Sequence, residues 1–475
     1  MSSTPVNDDN KPAPTKDEAA WRQNPPQVGP SPKVVIPLFE QSRLPSGLTV
    51  MVVRRPALPL VSMTLALKTG SAAESAASEY GLADLTFEMM MEGAGNRDGV
   101  ALAEEFADLG TQMVVRTSED GAAFKAVLLK KYLGAGMDLL SEILTRPTFK
   151  KSDFVRKQKE RIADLQSLMG NPNYLSNIAT ATLVYGDTHP YGHPVMGTLK
   201  TVEAFGLKQL KAFYRQHAVP QNAALILTGD VSLDEAVALA TEKLGSWKGG
   251  KNTPVKSADV KIAAGMGPFS IAIVPKPGMN QTIVSAGVKA LPAGHPDEWA
   301  LRVAVDAFGG MFGSRLNMNL REDKGYTYGA RGHVDAMFLD GAVMLSTSVQ
   351  ADVTGAALGE ILNELDNLKN RPVTAQEFQD ATDNVLQSVS GWFDGVAGLG
   401  NAAQSIFERR LPLTRYSDMV AAYRQLTIED VRHAVDLYMR RENFQVILVG
   451  DPAVITQQLS SLSLGAPQMI NLQDN

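Results

Sequence analysis

Three local patterns occur twice in this chain, in the same order and at nearly one offset. The apolar run LTVMVV at 48–53 returns 221 residues later as FSIAIV. The second pattern is a segment with an Arg-Pro pair and then a Ser or Thr that starts a helix. It ends at Phe154 in the first copy and at Phe378 in the second. A buried strand, a Gly-Asp turn and a helix around Gly229 recur around Gly450. Chance similarity of common α/β turns is the alternative, but three ordered matches favour two homologous halves.

Within each half, strands come early, helices fill the middle and a strand closes the unit. The stretches VSMTLALKTG and AAFKAVLLK alternate like strands, whereas ALAEEFADLG and LGAGMDLLSEIL carry apolar residues at helical spacing. Strands followed by groups of helices are typical of α+β folds rather than of strict βαβ winding. We therefore predict an α+β fold in which each half is a largely antiparallel sheet covered by helices.

The length of 475 residues also argues for more than one core, because single hydrophobic cores stop growing near about 250–300 residues. The predicted organisation is a flexible Pro-rich arm at 1–38, a first half at 39–244, a Gly/Lys/Pro-rich linker at 245–267, a second half at 268–465 and a tail at 466–475.

Composition excludes several classes of function. The 45 basic and 51 acidic residues give a net charge of −6, which argues against general binding to nucleic acids. No apolar run approaches about 18 residues, so no membrane span is expected. The chain has no cysteine, which excludes disulfides, thiolate zinc sites and cysteine nucleophiles.

The stretch FGGMFGSRLNMNLREDKGYTYGA is the most informative part of the sequence. It combines the glycines Gly309, Gly310 and Gly313 with Arg321 and, seven residues later, Tyr328. Together with HPYGHPVMGTLKTVEAF and LPSGLTVMVV, this stretch strongly resembles the pitrilysin and mitochondrial-processing-peptidase family of inverzincin zinc peptidases. The resemblance covers nearly the whole chain that follows the arm.

Active members of that family carry an inverted zinc motif, H-x-x-E-H, on a helix of the first half. The two histidines hold Zn²⁺, and the glutamate between them acts as the general base for the metal-bound water. The family pattern opens with Gly-Leu-Ala, and here it reads GLADLTFEM from Gly81. Asp84 stands where the first histidine belongs, Phe87 replaces the glutamate and Glu88 replaces the second histidine.

These replacements argue against catalysis by this chain alone. Phe87 cannot accept a proton, and two carboxylates without imidazoles make a poor zinc site. The third ligand of the family, a later glutamate, is missing from 161–166, although Asp164 is close. We therefore expect no metal in this chain. Asp84 and Glu88 are like charges on one helix face, for which a basic group of a partner is one explanation.

Arg321 and Tyr328 match the pair that, in the family, reaches into the zinc site from the opposite half. An arginine fork and a phenol suit a substrate carbonyl and the oxyanion that develops on it. The resemblance thus implies a non-catalytic subunit that completes the site of a homologous partner holding Zn²⁺ and admits unfolded peptides. The glycine-rich segment is expected to face substrate. The Pro-rich leader resembles exported bacterial members, which favours the periplasm.

Other interpretations remain open at this stage. The chain could be a purely structural subunit like the core proteins of the respiratory bc complex, a peptide-binding module, or an autonomous hydrolase with a displaced metal site. Arg321 could be a surface residue paired with Glu322 or Asp323, and Tyr328 an ordinary strand residue. The three glycines could serve helix packing or turns.

Overall fold

The computed structural model describes residues 35–249 and 267–472. Of the predicted arm, only 35–38 belong to the described residues. Of the predicted linker, only 245–249 and 267 do. The predicted tail is described up to its last three residues.

The first half contains eight strands and eight helices among the described residues. The strands are β1 (Glu40–Arg43), β2 (Thr49–Arg54), β3 (Leu60–Leu67), β4 (Gly93–Ala94), β5 (Arg97–Asp98), β6 (Val114–Thr117), β7 (Ala122–Leu129) and β8 (Ala223–Gly229). The helices are α1 (Leu82–Met89), α2 (Gly99–Asp108), α3 (Leu133–Thr145), α4 (Lys151–Leu168), α5 (Pro172–Tyr185), α6 (Leu199–Ala204), α7 (Leu207–His217) and α8 (Leu233–Leu244).

The second half has the same plan. Its strands are β9 (Ser270–Pro275), β10 (Gln281–Lys289), β11 (Thr327–Ala336), β12 (Gly341–Gln350), β13 (Gln445–Gly450) and β14 (Gln468–Met469). Its helices are α9 (Glu298–Val305), α10 (Arg315–Asn317), α11 (Thr354–Asn370), α12 (Ala375–Trp392), α13 (Gly395–Glu408), α14 (Arg415–Gln425), α15 (Ile428–Tyr438) and α16 (Pro452–Leu459). Two π-helical segments, Asp306–Gly310 and Met318–Asp323, flank α10.

Each half is built on one six-stranded sheet, and five strands of each sheet follow the same order. The order is β1-β2-β8-β3-β7-β6 in the first and β14-β9-β13-β10-β12-β11 in the second; the corresponding edge is occupied by the first strand, β1, in one half and by the last strand, β14, in the other. In the first sheet β2 runs parallel to β8, with Met51 opposite Ile226, and in the second β9 runs parallel to β13, with Ile273 opposite Leu448. The other neighbours are antiparallel, except that β14 runs parallel to β9. The predicted α+β fold with two related halves is confirmed.

One helix from each half packs on the sheet of the other half. The Ser176 hydroxyl of α5 lies 2.8 Å from the Ser285 hydroxyl of β10. Gly287 makes this approach possible, because a Cβ there would lie only 2.6 Å from a valine methyl of α5. In the reverse direction, the Thr228 hydroxyl of β8 donates to the Val396 carbonyl of α13 at 2.5 Å.

The exchanged helices explain why the central strands are apolar on both faces. Every residue of β8, AALILTG, is buried. Leu225 and Leu227 pack in the core of the first half, whereas Ala224 and Ile226 belong to a cluster that includes residues of α13. Strands covered on both faces are expected to be nearly continuous in apolar residues. Within 35–249 and 267–472, no helix is long and apolar enough to cross a bilayer.

Candidate functional site

Helix α1, where the zinc motif would lie, begins at a buried turn that requires glycine. Gly81 has a φ of 93°, in the left-handed region, and a Cβ on it would lie 2.6 Å from a carbonyl oxygen. The Glu74 carboxylate accepts hydrogen bonds from the amides of Gly81 at 3.1 Å and Ala83 at 2.9 Å. The Gly-Leu-Ala start of the motif therefore has a structural reason that does not depend on catalysis.

The two carboxylates of α1 share one arginine from α4 of the same chain. Arg161 Nη1 lies 2.6 Å from Asp84 Oδ2, and Nη2 lies 2.9 Å from Glu88 Oε2. The arginine side chain is 3% exposed. Burial by itself lowers the pKa of the Arg161 guanidinium, but the carboxylates of Asp84 and Glu88 outweigh it and raise that pKa above its ordinary value. No partner subunit is needed to explain this pair of like charges.

Phe87, at the position of the family's general base, is part of the hydrophobic core. Its side chain is fully buried. The ring packs edge-on against Phe124, with centroids 6.3 Å apart, and against Phe213 at 6.0 Å. These contacts are attractive in this geometry and leave no space for a water molecule to be activated beside the ring.

The residues of this helix do not fit a zinc ion. Zinc in proteins takes imidazole, thiolate and carboxylate ligands, usually with at least one nitrogen or sulfur donor. Here the two carboxylates already hold a guanidinium, and Asp164, the nearest acidic residue to the position of the third ligand, is exposed. In the described part of the chain, no group of three or more His, Cys, Asp or Glu side chains could hold a metal ion.

Arg321 lies on the second π-helical segment, at the protein surface. Its side chain is 40% exposed, and Nε lies 3.3 Å from Glu322 Oε1. The guanidinium carbon also lies 4.5 Å from the ring centroid of Phe312, a cation–π contact. Insertions of this helical type are frequent at functional sites, since they redirect side chains. Arg321 is thus held by an exposed ring and an exposed carboxylate, and it has no buried partner among the residues that the structure describes.

Tyr328 projects from an irregularity at the start of β11. The pairing of β11 with β12 shifts between Thr327 and Ala330, so that Tyr328 and Gly329 stand opposite the single residue Ser348 and the edge strand has one extra residue. The Thr327 hydroxyl accepts a hydrogen bond from the Gly329 amide at 3.1 Å, which fixes the irregular turn. The tyrosine side chain is left 95% exposed.

Two of the three predicted glycines serve packing against β11. A Cβ on Gly309 would lie 3.3 Å from the amide nitrogen of Gly332 in β11, and one on Gly310 would lie 3.2 Å from the Gly332 carbonyl oxygen. Gly313, in contrast, has open space around it and follows the exposed Phe312. The packing interpretation therefore accounts for Gly309 and Gly310, while the substrate-facing role remains a prediction that Gly313 still permits.

The predicted residues form two clusters in different halves. Asp84, Phe87 and Glu88 lie on α1, whereas the glycines, Arg321 and Tyr328 lie around α10 and the start of β11. The amide of Tyr326 donates to the Leu320 carbonyl at 2.8 Å, which ties the strand to the π-helical segment. Across the described ranges, no hydrogen bond or ring contact joins Arg321 to Tyr328.

Sequence reasoning missed two residues of these clusters. Arg161 was considered only as part of the segment that lacks a third ligand. Its signal was an arginine within 161–166, the segment in which the third ligand is expected. Phe312 lies within the glycine-rich stretch, but the sequence analysis predicts no role for it. The available signal was an aromatic residue between Met311 and Gly313. In the structure, the Phe312 side chain is 65% exposed.

Comparison with known proteins places this architecture in a family. The model described as "Insulinase (Peptidase family M16)" matches residues 49–198, and the model described as "Peptidase M16 inactive domain" matches residues 204–385. The chain belongs to peptidase family M16. This confirms the resemblance to zinc peptidases that the glycine-rich segment and the altered motif indicate.

Individual relatives agree with the M16 assignment. The M16 chain is 25% identical over 305 residues to an uncharacterized zinc protease of Mycobacterium leprae, which covers 64% of this chain and 67% of the relative. A solved peptidase M16 inactive domain from Pseudomonas fluorescens has a TM-score of 0.80 at 24% identity and covers 87% of this chain and 98% of that structure. The first half of the periplasmic protease PqqL from Escherichia coli matches with a TM-score of 0.72 at 18% identity, over 91% of this chain and 96% of that structure.

Proposed function

We propose that this M16 chain is the non-catalytic subunit of a heterodimeric zinc metallopeptidase of the periplasm. Its partner is a homologous subunit with an intact H-x-x-E-H motif and the catalytic Zn²⁺. This chain supplies Arg321 and Tyr328 to the partner's site. The substrates are unfolded peptides, which are cut by the partner's metal-activated water.

The observation that carries the proposal is the contrast between the two clusters. On α1, the ligand and base positions carry two carboxylates bound to Arg161 of α4 and a buried ring, so within the described residues they leave no zinc site for Arg321 and Tyr328 to complete. Both residues are nonetheless displayed at the surface, Tyr328 at 95% exposure. A phenol and a guanidinium without a buried structural partner are suited to a site on another molecule.

The chemistry of the pair is the binding of a carbonyl oxygen as it gains negative charge. The arginine offers a planar fork of N–H donors, and the tyrosine offers one O–H donor. Removing one such donor typically costs about 2.7–4 kcal/mol of transition-state stabilisation, or roughly 10²–10³ in kcat. The structure of the periplasmic protease PqqL gives related support. The alignment covers 92% of this chain but only 52% of PqqL, so PqqL has a further part that this chain does not match.

The test is reconstitution with a homologous subunit that carries H-x-x-E-H. Hydrolysis of an unfolded peptide is expected from the mixture and is negligible with this chain alone. Arg321→Ala and Tyr328→Phe should each lower kcat of the mixture by roughly 10²-fold or more without preventing assembly. The matched control is Arg424→Ala, an exposed arginine at the end of α14, which should leave kcat unchanged.

The result also separates the competing functions. A double variant of Arg321 and Tyr328 that is as active as the wild type in the complex would indicate a structural subunit. Hydrolysis and tight zinc binding by the isolated chain would indicate an autonomous enzyme. Binding of peptide by this chain without any effect on the partner's kcat would indicate a peptide-binding module.

A further inference from the structure

A cavity that is distinct from both clusters lies where the first half meets the end of α13. Its volume is about 480 Å³, and its polar lining includes the hydroxyls of Ser42 and Thr49. Three cationic side chains also line it: Arg43 from β1, Lys68 after β3 and Arg410 after α13. Cations repel one another at short range, so their convergence on one cavity requires compensation.

The cavity supplies little compensation from within the protein. Arg43 Nε donates to the Gly47 carbonyl at 3.2 Å, and Lys68 Nζ lies 4.2 Å from the ring centroid of Phe407. Arg410 lies 3.7 Å from the ring centroid of Phe338. In residues 35–249 and 267–472, none of the three cations forms an ion pair with a carboxylate.

The nearest electrostatic partner is already engaged. Asp120 is the carboxylate that acts on Arg410, but its oxygens accept hydrogen bonds from the Tyr191 hydroxyl and the Phe338 amide. Burial, and then the charges of Arg410 and Arg43, lower the pKa of Lys68 to about 8. The lysine is thus partly buried beside two other cations, a combination that a bound anion would offset.

Arg410 is held at a backbone position that normally belongs to glycine. It has a φ of 56° directly after the α13 C-cap, Arg409. The Arg410 amide donates to the Phe407 carbonyl at 3.2 Å, and the Leu411 amide donates to the Ile406 carbonyl at 2.9 Å. This is the Schellman pattern of helix termination, in which glycine is preferred because a Cβ is strained at positive φ. Strain of this kind persists where surrounding contacts hold it, and it is more frequent at functional sites.

We propose that this cavity is an anion site for a phosphoryl group, either free or carried by a small organic molecule. Two guanidinium groups and one ammonium match the double negative charge and the several acceptor oxygens of a phosphoryl group. The cavity is larger than a phosphate ion needs, which leaves room for an organic body beside the Phe407 ring and the Met51 side chain. The cavity is not lined by Arg321 or Tyr328, so the anion-site proposal can be tested separately from the peptidase proposal.

The experiment is isothermal titration calorimetry on the full chain with inorganic phosphate and with adenosine 5′-monophosphate, at constant ionic strength set with KCl. We expect saturable binding at one site per chain and a rise in the melting temperature with ligand concentration. Lys68→Met should weaken binding at least tenfold. Its matched control is Lys131→Met, since Lys131 also lies over a ring, that of Tyr132 at 4.6 Å, but does not line this cavity.

Arg410→Gly separates binding from folding. The glycine relieves the backbone strain, so the melting temperature without ligand should rise, while binding should weaken at least tenfold. Tighter binding of the nucleotide than of phosphate supports a phosphorylated small molecule, and equal binding supports the free anion. Failure of both probes to bind saturably, or equal affinity in wild type, Lys68→Met and Arg410→Gly, would overturn the proposal.

Discussion

Replacing Arg161 by methionine should destabilise the first half far more than the loss of a surface ion pair. Methionine keeps much of the bulk of the side chain and removes its charge. Arg161 is 3% exposed and lies 2.6 Å from Asp84 and 2.9 Å from Glu88. The Asp84 side chain is only 12% exposed, so the substitution leaves a nearly buried carboxylate without a cation.

The size of the effect follows from these contacts. Breaking a buried ion pair by removing one partner typically costs about 3–5 kcal/mol. Glu88 is 36% exposed and has Lys157 within 3.8 Å, so most of the loss should come from Asp84. We therefore expect the lower end of the range, about 3 kcal/mol. For the single compact unit of about 440 residues that the two halves form, with an unfolding entropy of about 2.1 cal/mol/K per residue, this corresponds to a fall in melting temperature of roughly 3 °C.

Scanning calorimetry on the full chain measures the shift. The control is Arg156→Met, since Arg156 is 51% exposed and pairs with Glu160 at 2.7 Å; such pairs contribute at most about 1 kcal/mol. Arg156 also pairs with Glu92, but that carboxylate keeps Lys157 within 3.6 Å when the arginine is replaced. The double variant Arg161→Met with Asp84→Leu removes both partners and should recover at least half of the loss. A melting temperature for Arg161→Met equal to that of Arg156→Met would refute a structural role for the buried pair.

Three further predictions concern stability. Phe87→Ala should lower the free energy of unfolding, measured by urea denaturation, by about 3–5 kcal/mol, because the ring is fully buried. The control Phe312→Ala, at an exposed ring, should change it by less than about 0.5 kcal/mol. Similar costs for the two variants would contradict burial as the cause. Gly81→Ala should lower the melting temperature, since φ is 93°, and an unchanged value would show that α1 can start differently. Burial lowers the pKa of His193 from 6.5 to about 4, so the unfolded chain takes up a proton in this range that the folded chain does not. The free energy of unfolding should therefore fall by up to about 3 kcal/mol between pH 6.5 and pH 4. The fall should be smaller in His193→Phe, whereas the exposed control His433→Gln should fall as much as the wild type. Parallel pH profiles of all three proteins would disprove this origin.

The fold could be predicted from the sequence because the repeat and the local patterns agree. The segment VSMTLALKTG forms β3, AAFKAVLLK forms β7, and ALAEEFADLG and LGAGMDLLSEIL form α2 and α3. The exchange of α5 and α13 between halves could not be predicted, because apolar periodicity identifies a buried face without identifying its partner. The glycine at 287 was a weak signal of a close approach, and only the three-dimensional contact assigns it to α5.

The candidate site was predictable in its chemistry but not in its pairing. The residues at 84, 87 and 88 follow from the position of the motif after Gly-Leu-Ala. That their charges are balanced by Arg161 depends on how α4 packs against α1, which a motif does not contain. Likewise, the seven-residue spacing of Arg321 and Tyr328 predicts a shared surface, but the shifted pairing that exposes Tyr328 results from the hydrogen bonds of Thr327.

The reciprocal covering of the sheets has a consequence during synthesis on the ribosome. One face of β2, β3 and β8 is complete only when Gly395–Glu408 has been translated, more than 160 residues after β8 ends. Until then we expect the nascent chain to expose an apolar sheet surface. A truncation before α13 should therefore yield a product that aggregates, even though it contains every strand of the first sheet.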